Sequence, residues 1–224
     1  MKSEDYFAIA ARDYHYLLCR GYDSAGSRDF VGNRYQLRGE QRSMLYRGIF
    51  SRDESNKRRL RLADAGEVTE KNLHIDAANV LFTIASYLDG RKVFIATDGL
   101  LRDAAEMHSK TPGVKSLQSA SRQMLHSLAA MHPAALSFYL NEKMPALAVL
   151  CQEIERSMKG MMFPVEYESF PKPDLQMVKM QNGILATADS SLINRSSLPV
   201  FDLAAYVLKE KFSASFLDLS YLNA

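Results

Sequence analysis

The chain has 224 residues, 47% hydrophobic and 24% charged, which is enough for a sizeable core and excludes wholesale disorder. Its net charge of +2 is uneven: residues 1–62 carry 13 Lys/Arg against 8 Asp/Glu, while residues 71–224 carry 15 of each. A basic first third beside a neutral remainder fits a phosphate-bearing partner, and fits a solvated basic face equally well.

The two cysteines, Cys19 and Cys151, form no CxxC pair and no disulfide framework. Both are expected as buried thiols in a reducing compartment. No apolar run suits a signal peptide or the roughly 20 residues of a spanning helix. The expectation is a cytoplasmic protein with no membrane partner.

In chain order, Tyr6, Ile9, Ala10, Tyr14, Leu17 and Leu18 repeat at helical spacing, and Gly21 follows as a C-cap. Ser24 or Ser27 opens a second helix through Phe30 and Val31. Gly39 separates it from a third, on Met44, Leu45 and Ile49. Residues 1–62 therefore read as a small basic helical module. Composition turns polar and highly charged over 51–71, and a linker is placed at 63–71.

Beyond it the pattern alternates. The run Leu73-His74-Ile75 ends in Asp76, and a helix follows through Val80, Ile84 and Leu88 to Asp89-Gly90. Val93–Ala96 is a second apolar run, before Thr97-Asp98-Gly99. Helices are expected over 101–109, 116–131 and 142–159, with a strand over Ala134–Tyr139. Val165–Phe170, Ile184–Thr187 and Leu198–Phe201 read as strands, Leu203–Lys211 as a last helix, and 213–224 as a tail. Alternating strands and helices imply βαβ units and a mostly parallel sheet, an α/β fold.

Three apolar runs end in an acid: Asp76, Asp98 and Asp189. Ligands of open parallel sheets bind at the carboxyl ends of the strands. Carboxylates gathered there repel one another unless a cation lies between them, and such oxygen donors suit Mg²⁺ or Mn²⁺. A lone Asp after a strand is also an ordinary helix N-cap, and both readings stay open.

Resemblance adds to this. HIDAANVLF, with Asp76 and Asn79, resembles the first strand and helix of the PIN/NYN nuclease group. KPDLQMVKM, with Lys172 and Asp174, resembles the group's Lys-x-Asp element, and ILATADSSLI, with Thr187 and Asp189, its Ser/Thr-x-Asp signature. The three occur in the group's order over roughly residues 72–210. The resemblance implies a PIN-like three-layer α/β/α domain over 72–212. It also implies a site led by Asp76, Asp174 and Asp189, with Asn79 orienting a carboxylate or contacting substrate. Asp98 or Asp103 would complete the metal set. Where the group often has a further acid, this chain has Ser191. Asp202 is either a ligand or a helix cap.

YLLCRGY, FVGNRYQL, QRSMLYRGIF, IDAANV and TDGLLRD further resemble domain-of-unknown-function family 434, which pairs a short N-terminal module with a PIN-like domain. That match covers nearly the full chain and implies architecture only.

The resulting expectation is metal-dependent phosphodiester hydrolysis, RNA being favoured over DNA. The alternative is an inactive nucleic-acid-binding or scaffolding protein. Arg102 either meets a scissile phosphate or forms a salt bridge with Asp103. Arg34, Arg42, Lys172 and Thr187 are candidate substrate contacts, since Arg interleaved with Tyr35 and Tyr46 suits a single strand. The five histidines form no zinc-binding spacing; His74 reads as structural, and His108 is a weaker candidate near the site. A homodimer is left open.

Overall fold

The computed structural model describes residues 3–104, 112–144 and 147–223, excepting the side chains of residues 3–5. In chain order the elements are α1 (Ser3–Cys19), α2 (Ser24–Arg34), α3 (Gly39–Gly48), α4 (Arg52–Arg59), β1 (Leu62–Ala63), α5 (Ala65–Val68), β2 (Asn72–Asp76) and α6 (Ala77–Leu88). There follow β3 (Val93–Ile95), β4 (Leu101–Asp103), α7 (Val114–Met131), β5 (Ala135–Asn141), α8 (Leu147–Met158), β6 (Val165–Phe170) and α9 (Pro173–Met177). The chain ends with β7 (Ile184–Ala186), α10 (Ser190–Arg195), β8 (Val200–Phe201), α11 (Leu203–Phe212), β9 (Leu217–Asp218) and a 3₁₀ turn at Ser220–Asn223.

These elements form two compact units. The first comprises Met1–Leu60, Arg91–Lys110 and Phe216–Ala224; the second comprises Arg61–Gly90 and Thr111–Ser215. The boundaries expected from sequence therefore change. Residues 91–110 leave the α/β domain, and the C-terminal segment is no free tail.

In the first unit, α1–α3 close over Phe7, Tyr14, Val31, Leu45, Ile49 and Phe94. Helix α1 ends in a left-handed closure, with Gly21 at φ 81° and Tyr22 N–H bonding Leu17 C=O at 3.1 Å. β3 pairs with β4 antiparallel and with β9 parallel, so the last residues complete this small sheet. A helix was expected over 101–109. Instead Gly99, at φ 85°, turns the chain back after β3 and makes 101–103 a strand; residues 105–109, His108 included, lie outside the described residues. The polar stretch from 51 is likewise ordered. Ser51 caps α4, and Ser55 and Arg58 of that helix are buried. Of the expected linker, Ala63 pairs with Phe201 in the sheet and residues 65–68 form α5.

The second unit holds a six-stranded sheet ordered β1-β8-β7-β2-β5-β6, every pair parallel. Helices α6, α7 and α11 pack on one another. α9 lies against β2 and β5, and with Leu185, Leu192 and Leu198 it covers a separate apolar cluster. The unit is mixed α/β, consistent with a three-layer α/β/α arrangement. No described helix is long and apolar enough to cross a membrane. Both cysteines are free; Cys19 is exposed and Cys151 half-buried, rather than buried as expected.

Candidate functional site

Strand order decides where a site belongs. From β2 the chain moves outward to β5 and β6, then returns to the other side of β2 with β7 and β8. The order reverses between β2 and β7, and the crevice beyond such a reversal is where open α/β sheets bind ligands. Asp76 ends β2, and Asp189 follows β7 by three residues.

Both acids also cap helices. Asp76 Oδ1 accepts from Asn79 N–H at 3.3 Å, opening α6. Asp189 Oδ1 accepts from Ser191 N–H at 2.7 Å and Leu192 N–H at 3.1 Å, opening α10. The cap and ligand readings are therefore compatible: a cap fixes one carboxylate oxygen and leaves lone pairs on the group.

Thr187 and Asn79 lock the two strand ends together. Thr187 Oγ1 donates to Asp76 Oδ2 at 3.0 Å and accepts from Asp189 N–H at 3.1 Å. Asn79 Oδ1 accepts from Ala188 N–H at 2.8 Å. Thr187 is only 2% exposed, so it positions the acids rather than meeting a substrate. Burial pushes the Asp76 carboxyl from 3.8 up to about 6, with Asp189 and Asp174 adding negative charge nearby; the bonds from Asn79 and Thr187 oppose that rise.

Asp174 sits in the first turn of α9, after exposed Lys172 and Pro173. Its Oδ2 accepts from Arg195 Nη2 at 2.7 Å, both side chains being 40% exposed. Nothing in the sequence spacing marked Arg195 as its partner. His74 was read as structural and is buried, with both ring nitrogens bonded. Asn182 C=O can only accept, so Nε2–H donates to it at 2.9 Å, and Nδ1 accepts from Tyr139 Oη at 3.2 Å. Asp202 caps α11 through Ala205 N–H at 2.9 Å, one of its two expected roles.

Asp98, Arg102 and Asp103 fall in the other unit. All three belong to the first unit, whereas Asp76, Asp174 and Asp189 belong to the second. Asp98 is fully buried between two guanidiniums, with Arg102 Nη1 and Nη2 at 2.6 and 2.8 Å and Arg58 Nη1 at 3.1 Å. Both guanidiniums lie over the Phe50 ring. Burial opposes ionisation of Asp98, but Arg102 and Arg58 outweigh it and hold its carboxyl below the ordinary range. Asp103 pairs with Arg47 at 3.0 and 3.1 Å. This replaces the expectation of a fourth acid at Asp98 or Asp103: those oxygens face arginine. Arg102 is buried on Asp98 and is no phosphate contact.

Arg42 is also occupied. It donates to Leu37 C=O at 3.0 Å and Asn33 Oδ1 at 2.9 Å, bracing the α2–α3 turn. Arg34 is exposed.

The donors at the switch point fit a hard divalent cation in kind, being carboxylates in a net-negative setting. They fit it less well in number. Among the described residues no three His, Cys, Asp or Glu side chains form a metal-holding group.

Two family models match. "Protein of unknown function (DUF434)" matches residues 7–61, and "Domain of unknown function (DUF5616)" matches residues 65–206. The chain belongs to the DUF5616 family. Within the DUF5616 match lie Asp76, Asn79, Asp174, Thr187 and Asp189. The DUF434 resemblance, expected over nearly the whole chain, is confined to the first segment. The chain is also similar to "Uncharacterized protein MJ0935" of Methanocaldococcus jannaschii, 26% identical over 201 residues, covering 89% of this chain and 95% of that one. No solved structure matches.

Proposed function

We propose that the second unit is a PIN/NYN-like nuclease domain that hydrolyses RNA phosphodiesters with a divalent cation, Mg²⁺ or Mn²⁺, at the β2–β7 switch point. The observation carrying this is the placement of Asp76 and Asp189 at the ends of neighbouring strands where the sheet order reverses, joined through Thr187; burial, with acidic neighbours, also raises the Asp76 carboxyl to about 6. Retaining mutually repelling carboxylates at a ligand crevice costs stability, and functional sites are where such costs are tolerated. Asp76 and Asp189 would hold the cation, with Asp174 the third acid of the site. When bound, it would supply an activated water and offset charge developing on the phosphoryl group. Thr187 and Asn79 fix where the two carboxylates stand, and Lys172 offers a cation at the same edge for the substrate backbone.

The test is cleavage of single-stranded and structured RNA in Mn²⁺ or Mg²⁺ by the wild type and Asp76→Asn. The expected result is a loss of at least about a hundredfold; equal activity in the two proteins rejects the assignment.

One arrangement favours a second reading, a PIN-like scaffold or nucleic-acid-binding protein without catalysis. Asp174 is paired with Arg195, Ser191 stands where the nuclease group often has an acid, and no three-donor group forms among the described residues. Under this reading Mn²⁺ leaves the melting temperature unchanged.

A further inference from the structure

The first unit contains a groove of about 610 Å³ lined by Tyr6, Arg34, Tyr35, Gln36, Arg38 and Gln41, with Leu37 at its base. That is the size range of small-ligand and nucleotide sites. Among the described residues its lining carries two guanidiniums and no carboxylate. Two described acids nearby are already engaged: Asp13 accepts from Tyr35 Oη at 2.5 Å, and Glu40 pairs with Lys92 at 3.1 Å. Neither Arg34 nor Arg38 has a carboxylate partner among the described residues. The third arginine, Arg42, is spent on Leu37 C=O and Asn33, and so shapes the wall instead of facing the groove.

The backbone gives a second, independent clue. Helix α2 ends in the same closure as α1, with Leu37 N–H bonding Gly32 C=O at 2.9 Å and Gln36 N–H bonding Asn33 C=O at 3.2 Å. In α1 the left-handed position is Gly21; in α2 it is Gln36, at φ 50°. An L-residue there is held at a cost that glycine avoids. The conformation recurs at Glu70, His132 and Ser213, but Gln36 is the one whose side chain lines a cationic groove. Ring faces are also at hand. Tyr6 is 43% exposed, and the Arg34 guanidinium lies 5.8 Å from the centre of the Tyr35 ring.

We infer that this groove binds a short single-stranded stretch of RNA. Arg34 and Arg38 hold successive phosphates, Tyr6 and Tyr35 offer stacking faces, and the carboxamides of Gln36 and Gln41 meet base edges. The inference deepens the reading of the second unit as a ribonuclease, yet binding here does not require catalysis there.

The experiment is fluorescence anisotropy with a labelled single-stranded RNA of about 12 nucleotides. It uses the full chain carrying Asp76→Asn, so that cleavage does not deplete the probe. Adding Arg34→Gln and Arg38→Gln is expected to weaken binding at least about tenfold and to flatten the salt slope by about 1.4, the share of two phosphates on a single strand. Gln36→Gly is expected to keep or raise the melting temperature while weakening binding about threefold, which separates contact from folding. Arg12→Gln, outside the groove, is expected to change little. No binding by the parent protein, or an Arg12→Gln loss equal to that of the double variant, overturns the proposal. A duplex of the same sequence binding as tightly overturns the single-strand assignment. Groove binding without cleavage by the wild type would reject the nuclease reading and leave this one standing; cleavage without groove binding would do the reverse.

Discussion

Asp98 and Asp76 follow similar apolar runs, VFIAT and LHI, yet they carry opposite electrostatics. In the first unit Asp98 is surrounded by Arg102 and Arg58 and held below the ordinary carboxylate range. In the second unit Asp76 has two hydrogen bonds, two acidic neighbours and a carboxyl raised to about 6. The first arrangement holds structure together, because both signs of charge are supplied by the chain itself. The second pairs only Asp174, with Arg195, and leaves Asp76 and Asp189 without a cationic partner among the described residues, as expected of a site whose counter-charge comes from outside.

The sharpest way to break this contrast is Asp98→Asn. It removes the carboxylate that two buried guanidiniums share, leaving Arg58 only the longer contact to Glu54 at 3.7 Å, and is expected to cost about 3–5 kcal/mol by urea unfolding. A loss under about 1 kcal/mol would mean the ion pair is not what secures the first unit. Next comes Mn²⁺. At about a hundred times its dissociation constant it should stabilise the wild type by about 2.7 kcal/mol, and Asp76→Asn far less. Identical melting shifts in both would place any metal elsewhere.

Asp76→Asn should also stabilise the metal-free protein, by about 1–2 kcal/mol at pH 7.5. The sign follows from the raised value: the folded state holds the Asp76 proton more tightly than the unfolded chain. Stability from this group is full below 3.8 and is lost as pH rises towards 6. The gain from Asn should therefore vanish in melts below about pH 4. Asp98 behaves oppositely, since its lowered value makes its stabilisation disappear as pH falls through it. The smallest expected effect belongs to Arg195→Gln, at most about 1 kcal/mol for an exposed pair. Its informative readout is Mn²⁺ affinity. A rise means that Asp174 belongs to the site, and no change leaves Asp76 and Asp189 alone in it.

Much of the second unit was legible because local pattern and final environment agree. β6 spans Val165–Phe170 as its residues suggest, and α6 stops at the expected Asp89-Gly90, with Gly90 at φ 71°. Asp76 and Asp189 read as strand-end acids and Asp202 as a ligand or a cap, and all three cap helices. Only the sheet order separates the two at the switch point from the third. Asp98 was misplaced because a short apolar run does not declare which sheet it joins; its strand pairs with residues 217–218, more than a hundred positions away. The polar stretch from 51 was misread for a related reason. Ser55 and Arg58 look solvated by type, but they are buried through Thr97 and Asp98, partners that no local periodicity reveals.

The partition of the first unit among three separate segments has a consequence for biosynthesis. Helices α1–α4 leave the ribosome well before residue 217, yet β3 waits for Leu217 and Asp218, and His15 waits for Asn223. A nascent chain therefore carries an incomplete small sheet while residues 111–215 of the second unit are being made. The parallel sheet can settle during elongation, whereas the basic module closes only once residues 217–223 have emerged.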